Sequence, residues 1–334
     1  MPDHLPMNPM HAIKQRLSAI TAAFDTKQRC IYVDYPLHAN IGDLLINQGS
    51  EQFFKEQGLN IWRRYNQYGF PRRINGVTKK DVFLLHGGGN LGDLWEPYQS
   101  FRESILELYP ENRVIFLPQT VHFQSAERKR ESLRKMSAHR NLHVFTRDYA
   151  SQEQLRAGGL DCVSMAPDMA HSLMGVIKPS STSPPNSELG LIRNDREGSL
   201  PPEELRNSKY PVLDWDHGTI ALSRRMSHPV VLRAVKAVGR YGRPLDAHGL
   251  WYWHVKGMIG DGVDLLSRYE TIITNRLHAI LLGLLLGRKV KAWDNSYGKL
   301  SGYYDAWLSN VSSLTLYRRE PRKHNELQAA GITA

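Results

Sequence analysis

Three features of the sequence predict two open α/β domains in tandem, each a parallel sheet covered by helices. Short apolar runs of strand character alternate with segments of helical periodicity. A stretch rich in Pro and Ser interrupts that alternation at 178–187. The length, 334 residues, exceeds what one hydrophobic core usually encloses. The break divides the chain into one domain over 1–178 and a second over 179–334, the latter ending in a polar tail after Glu320.

In order along the chain, Ile13, Leu17, Ile20 and Phe24 share one helical face and predict an opening helix over 11–24. Residues 30–35 form an apolar strand, Asn40-Ile41-Gly42-Asp43 a turn, and 44–57 a helix stopped by Gly58. The unit recurs at 82–85, which runs into His86-Gly87-Gly88-Gly89-Asn90 and Leu91-Gly92-Asp93 before a helix through Phe101 and Leu108. It recurs again as a strand over 114–117 with Pro118-Gln119-Thr120 as its exit, and a basic helix over 126–138. A strand over 142–146 then leads through Arg147-Asp148 into a helix stopped by Gly158-Gly159. Beyond the break the expected elements are a strand over 189–192 ending in Arg193, a helix over 230–238 and a strand over 271–274. A helix over 277–286, a strand over 289–293 and a closing helix over 299–308 follow.

Composition narrows the function classes. With 41% hydrophobic residues and 23% charged residues the chain reads as folded and globular. Cys30 and Cys162 are the only cysteines and form no CxxC pair or Cys/His cluster, which argues against a disulfide scaffold or a zinc site and for a reducing compartment. No metal is expected. The longest apolar stretch, Ala279 to Leu286, is far short of the ~20 residues that span a bilayer. The N-terminal residues lack the apolar run of a secretory signal, so a cytoplasmic protein is expected. A net charge of +10 points to anionic partners: phosphorylated substrates, an anionic membrane surface or nucleic acid. The basic helix carrying Arg128, Lys129, Arg130, Arg134 and Lys135 reads first as a solvated face.

In open α/β sheets ligands collect outside the carboxyl ends of the strands, and the candidate residues sit there. Gly87, Gly88, Gly89 and Asn90 are placed to let backbone N–H groups approach an anion or a sugar, with the following helix N-terminus adding its dipole; a plain tight turn is the competing reading. Asp43 and Asp93 stand in two matching Asn-x-Gly-Asp turns, either as helix caps or facing one cleft. Asn275-Arg276-Leu277-His278 is the sharpest constellation, a permanent cation and a titratable imidazole where an apolar strand meets an apolar helix. Capping or pairing with carboxylates is the bland account; an anion site beside a general acid/base is the functional one. Arg193 and Lys299, at two further strand exits, extend Arg276 into a clamp on a carboxylate or phosphate. His86, Gln119, His122 and Asp168 follow apolar runs of the first domain and face a possible acceptor.

These residues resemble the polysaccharide pyruvyl transferase family. The likeness runs from Asn40-Ile41-Gly42-Asp43 through His86-Gly87-Gly88-Gly89-Asn90, Leu117-Pro118-Gln119-Thr120, Arg147-Asp148 and Ala166-Pro167-Asp168 to Arg276-Leu277-His278, so it covers about residues 29–310. The resemblance implies two Rossmann-like domains around a central cleft, a glycosyltransferase-B-like (GT-B) fold, with an acceptor side in the first and a phosphoenolpyruvate side in the second. It places the donor-binding arginine on Arg276 and the catalytic histidine on His278, with Arg193 a less secure match. It implies transfer of the pyruvyl unit of phosphoenolpyruvate to two hydroxyls of a saccharide as a ketal. No cofactor is then needed beyond that donor substrate, and a lipid-linked acceptor and a peripheral contact with an anionic inner membrane face are expected. Nucleic acid is not an expected partner. Two other functions remain open from the sequence. One is a nucleotide-sugar glycosyltransferase using Asp246, His248 and Trp251 to His254 for base and ribose; the other is a non-catalytic basic binding protein.

Overall fold

The computed structural model describes residues 8–192, 201–202, 205, 210–213, 222–241, 247–294 and 299–318. The chain opens with α1 (Pro9–Gln15) and α2 (Ser18–Thr21) in place of one continuous helix. The winding tightens between them: Arg16 and Leu17 donate to the carbonyls three residues back, of Ile13 and Lys14.

Strand β1 (Arg29–Val33) is apolar on both faces, so it belongs in the middle of a covered sheet. Cys30 and Tyr32 point into one hydrophobic cluster and Ile31 and Val33 into another. It is followed by α3 (Ile41–Glu56), β2 (Asn60–Tyr65), β3 (Val82–Leu85), β4 (Gly88–Gly92), α4 (Glu96–Leu108), β5 (Arg113–His122), α5 (Ala126–Ala138), β6 (Leu142–Thr146), α6 (Tyr149–Ala157) and β7 (Val163–Met165). The order across the sheet is β2-β1-β3-β5-β6-β7, with β4 added to the far half of β5 and every pairing parallel. The connections diverge between β1 and β3, the kind of switch point where a parallel sheet opens a crevice.

Strand β5 is longer than the sequence suggests. Pro118 does not end it, because the register against β6 shifts between Phe116 and Gln119 and the missing N–H falls in that irregularity. Beyond the bulge, Gly88 pairs with Gln119 and Gly92 with His122.

A 3₁₀ segment over Met169–Leu173 and the Pro/Ser-rich stretch lead to β8 (Glu188–Leu191). The second sheet also holds β9 (Val212–Leu213), β10 (Thr271–Thr274), β11 (Lys289–Trp293) and β12 (Leu314–Tyr317), in the order β12-β11-β10-β8-β9, again parallel. Its helices are α7 (Leu222–Tyr241), α8 (Ala247–Ser267), α9 (Leu277–Leu285) and α10 (Lys299–Tyr303), the last running into a π turn over Tyr304–Leu308. This sheet has its own switch point between β8 and β10.

One hydrophobic cluster runs through both sheets, joining Leu44, Leu45 and Phe53 of α3 to Met169 and Leu173, and to Leu189, Ile280 and Leu281 of the second half. Close approach makes this possible. A Cβ on Gly49 of α3 would lie 2.1 Å from the carbonyl oxygen of Met169, so only glycine lets the helix sit against the 3₁₀ segment. On the same helix Glu51 accepts from Arg64 at 2.7 Å and meets His248 of α8 at 3.3 Å.

Candidate active site

The loops after β1, β3, β6, β7 and β10 converge on one imidazole. Asn40 caps α3, its Oδ1 accepting the Gly42 N–H at 2.9 Å, which fixes the first turn of that helix. A Cβ on Gly42 would lie 2.6 Å from Nδ1 of His278, so the ring rests directly on the α3 backbone. His278 is the second residue of α9, where β10 ends, and its Nε2 lies 3.3 Å from Oδ2 of Asp168 at the end of β7. The ring therefore bridges the two sheets.

Asp168 is held from all sides. Arg147 Nη1 donates to its Oδ2 at 2.5 Å, and the Ala170 N–H donates to its Oδ1 at 2.9 Å. Its own N–H donates to the Tyr303 hydroxyl at 3.0 Å, and that hydroxyl also meets His171 Nε2 at 2.9 Å. Arg147 is itself fixed: its Nε donates to Thr120 Oγ1 at 2.7 Å, the Thr120 hydroxyl donates to Asp148 at 3.0 Å, and Trp307 Nε1 donates to the Arg147 carbonyl at 2.8 Å. Burial opposes ionisation of Asp168, yet the His278 ring and the Arg147 guanidinium outweigh it and hold the carboxyl well below the usual carboxylate range. It is an anion that orients His278, not a proton source. Burial also drives Tyr303 well above the usual phenol range and brings His171 down to about 4, so both are neutral supports.

A second acid–imidazole pair stands beside the first. Asp43, one residue after Gly42, lies with Oδ2 3.6 Å from Nε2 of His38 in the loop after β1. A Cβ on Gly88 would be 3.6 Å from Asp43 Oδ1, and one on Gly89 3.4 Å from Arg147 Nη2, so the glycine run lies between the two pairs. It does so as extended strand. Helix α4 begins only at Glu96, beyond a 3₁₀ turn over Asp93–Trp95, so its N-terminus does not directly follow these glycines, contrary to the sequence-based expectation. The second Asn-x-Gly-Asp turn also diverges from the first: Asp93 accepts from the Gln124 and Ser125 N–H groups at 2.7 Å and ties down the loop before α5.

The remaining candidates separate by position. Gly87 packs against the Pro118 carbonyl at the base of the run, and Asn90 is half-buried on β4. Gln119 is buried and donates to the His86 carbonyl at 2.6 Å. His86 is internal, with Nδ1 2.6 Å from the Tyr32 hydroxyl; burial and then the Arg102 and His38 charges push its pKa far below the usual histidine value. His122 lies three residues beyond Gln119, in register with Gly92 at the far end of β5. Arg276 occupies the N-cap position of α9, its N–H bonded to Thr274 Oγ1 at 3.1 Å, at the switch point of the second sheet. Arg193 lies outside the described residues, and so does the side chain of Lys299, whose backbone opens α10.

Sequence reasoning passed over His38 and Tyr303, and quoted Arg147 and Thr120 only as parts of motifs. Arg147 follows β6 and Thr120 follows the strand expected over 114–117, so both were within reach of that signal; Tyr303 joins the site only through the folding of α10. Most of the residues offered for a nucleotide are used in packing. Trp251 and His254 are buried, His254 stacked on His228 of α7 and Trp251 tilted against it, while His248 is held by Glu51 and by the Tyr35 ring; Trp253 is exposed, and Asp246 lies outside the described residues.

Residues 40–292 match the family described as polysaccharide pyruvyl transferase. The chain is 34% identical to a Bacillus subtilis (strain 168) protein named "Putative pyruvyl transferase EpsO", over 95% of this chain and 97% of that one. It is 24% identical to Pyruvyl transferase 1 of Schizosaccharomyces pombe, over 83% of this chain and 69% of that one. A solved structure of a functionally uncharacterised Klebsiella pneumoniae protein aligns over 93% of this chain and 99% of its own with a TM-score of 0.57 at 17% identity, a likeness of fold.

Proposed function

Because the chain belongs to the polysaccharide pyruvyl transferase family, we propose that it moves the pyruvyl unit of phosphoenolpyruvate onto two hydroxyls of one saccharide, forming a ketal and releasing phosphate. Membership itself assigns pyruvyl transfer in polysaccharide synthesis, and hence a saccharide acceptor. The observation that carries the finer reading is the pairing of His278 with the buried anion Asp168 where the two sheets meet.

In this reading the second half, with Arg276 at its switch point and Arg193 and Lys299 on neighbouring strand exits, binds the carboxylate and phosphate of the donor. The first half, with Asp43, the glycine run, Asn90 and His122, faces a lipid-linked acceptor, Gln119 lying buried behind them, and the two act as a GT-B-like pair. His278 delivers a proton to the methylene carbon of phosphoenolpyruvate, Asp168 stabilising the imidazolium beforehand and holding the ring in line. C2 becomes electrophilic, and a first sugar hydroxyl adds while Asp43, oriented by His38, accepts its proton. Asp43 passes that proton to the departing phosphate, and the second hydroxyl closes the ring, its proton going to His278. The methyl group keeps the proton that His278 gave, both side chains end as they began, and no redox partner is required.

Incubation with phosphoenolpyruvate and candidate lipid-linked repeat units, followed by mass spectrometry and a phosphate assay, tests this. The expected result is a ketal-bound pyruvyl group on the glycan with one phosphate released per group added. Phosphate release without glycan modification, or tight binding of a nucleotide sugar with none of phosphoenolpyruvate, overturns it.

A further inference from the structure

We propose that the outer face of the α7–α8 pair is a docking surface for an anionic lipid bilayer. The two helices pair antiparallel through Arg224 with Asp261 and His228 with His254, which leaves their other sides outward. Those sides carry large apolar groups in water: Met226 is 73% exposed, Val230 66%, Trp253 66% and Leu250 42%. Exposed apolar groups gathered on one pair of elements mark a contact surface, and Trp is the side chain that settles at a membrane interface.

Charge selects the occupant. Arg225, Arg233 and Lys256 are exposed among these apolar groups, and the carboxylates on the two helices are Asp261, which Arg224 engages, and Asp264 in the last turn of α8. Lys236 lies 4.0 Å from the ring of Tyr68, itself exposed, which continues the surface onto the first half, where Arg72 and Arg73 are also exposed. A cationic face with protruding aromatic and aliphatic side chains matches a bilayer of anionic headgroups. Helix α5, the more basic by sequence, does not: Arg128 is paired with Glu96 and Glu103 and Lys135 with Glu103 and Glu107, and none of the exposed large apolar residues falls on it. Among the described residues no helix is long and apolar enough to cross a membrane, so the contact is peripheral. The inner side of α8 reaches the elements that build the site, since His248 meets Glu51 of α3 at 3.3 Å and packs edge-on against Tyr35 in the loop after β1. Docking through this face therefore brings the acceptor loop near the lipid surface, a consequence that rests on the lipid-linked acceptor proposed above; the docking itself does not.

Co-sedimentation of the full chain with vesicles, in low salt and without phosphoenolpyruvate or glycan, reads it independently of turnover. Binding is expected to phosphatidylglycerol/phosphatidylcholine vesicles and not to phosphatidylcholine alone. Met226→Ser with Trp253→Ser, and separately Arg225→Glu with Arg233→Glu, should each lower partitioning about tenfold or more, while Arg130→Glu with Arg134→Glu on α5 changes it less than about twofold. Quenching by brominated phosphatidylglycerol, as the difference between wild type and Trp253→Phe, gives a readout that needs no destabilising change. Absence of vesicle binding, unchanged binding by both α7–α8 variants, loss of binding in the α5 variant, or no quenching of Trp253 overturns the proposal. So does a dimer in sedimentation velocity that the α7–α8 variants dissociate, which would make this face a contact between copies.

Discussion

Asp168 is ionised without being solvated, and that decides what it can do. A carboxylate below its usual range at neutral pH cannot donate a proton, so it acts by charge on His278 and Arg147. Asp168→Asn keeps the shape and removes the charge. Turnover should fall roughly 10²–10⁴-fold with phosphoenolpyruvate affinity nearly kept, because the ring loses the anion that orients it. Turnover within a few-fold of wild type would reduce Asp168 to a structural partner of Arg147. At the neighbouring position the roles divide. Arg276→Ala should weaken donor binding by about 1.5–3 kcal/mol in calorimetry, whereas His278→Gln should bind donor normally and lose roughly 10²–10⁴-fold in single-turnover rate. If the Gln variant is folded and turns over like wild type, the proton-transfer role of His278 is wrong.

At the scale of elements, α3 is the part that joins fold to chemistry, and two of its glycines separate the two duties. Gly42→Ala would place a methyl group 2.6 Å from His278 Nδ1, and a side chain at the cluster edge can yield by rotating. The expected outcome is a ring displaced from Asp168, with activity down more than tenfold and a melting temperature within a few degrees of wild type. Gly49→Ala meets backbone at 2.1 Å, where nothing can rotate away. It should destabilise the protein by about 2–4 kcal/mol by forcing α3 off the 3₁₀ segment, read as a lower denaturation midpoint. Equal effects of the two substitutions on stability would contradict this division.

For the whole molecule, buried histidines set the acid limit of stability. His143 and His171 are brought down to about 4 and His86 far below its usual value, and His139, His228 and His254 are lowered too, all chiefly by burial. Between about pH 4 and 6.5 the unfolded chain binds the extra protons, so stability falls as pH drops through that window. His171 alone, fully buried, amounts to about 3 kcal/mol at the acid end. Asp34 works the other way: burial raises it to about 6 despite Arg102 at 2.9 Å, so its protonation favours the folded state as pH falls. One carboxyl does not offset several histidines. The melting temperature should be highest near neutral pH and several degrees lower at pH 5; a maximum at or below pH 5 would show that these imidazoles are solvated.

Much of this was legible without coordinates, because it follows from local rules. Apolar runs bounded by Gly, Asn and Asp located strands β1, β3, β6, β8, β10 and β11, and strand exits located Asp43, the glycine run, Arg276 and His278. What escaped has a physical reason in each case. Pro118 concealed the far half of β5, since the bulge that accommodates it is a property of the pairing with β6. Strand β2 read poorly because it is an edge strand with no buried residue, and helix α8 because its buried side packs on α3 and α7 rather than on its neighbours in sequence. That His278 rests on Gly42 and faces Asp168, 110 residues away, was decided only by packing α9 against α3 across the two sheets. A sequence states which groups stand at the ends of strands; which of those ends meet depends on how the faces of the helices bury one another.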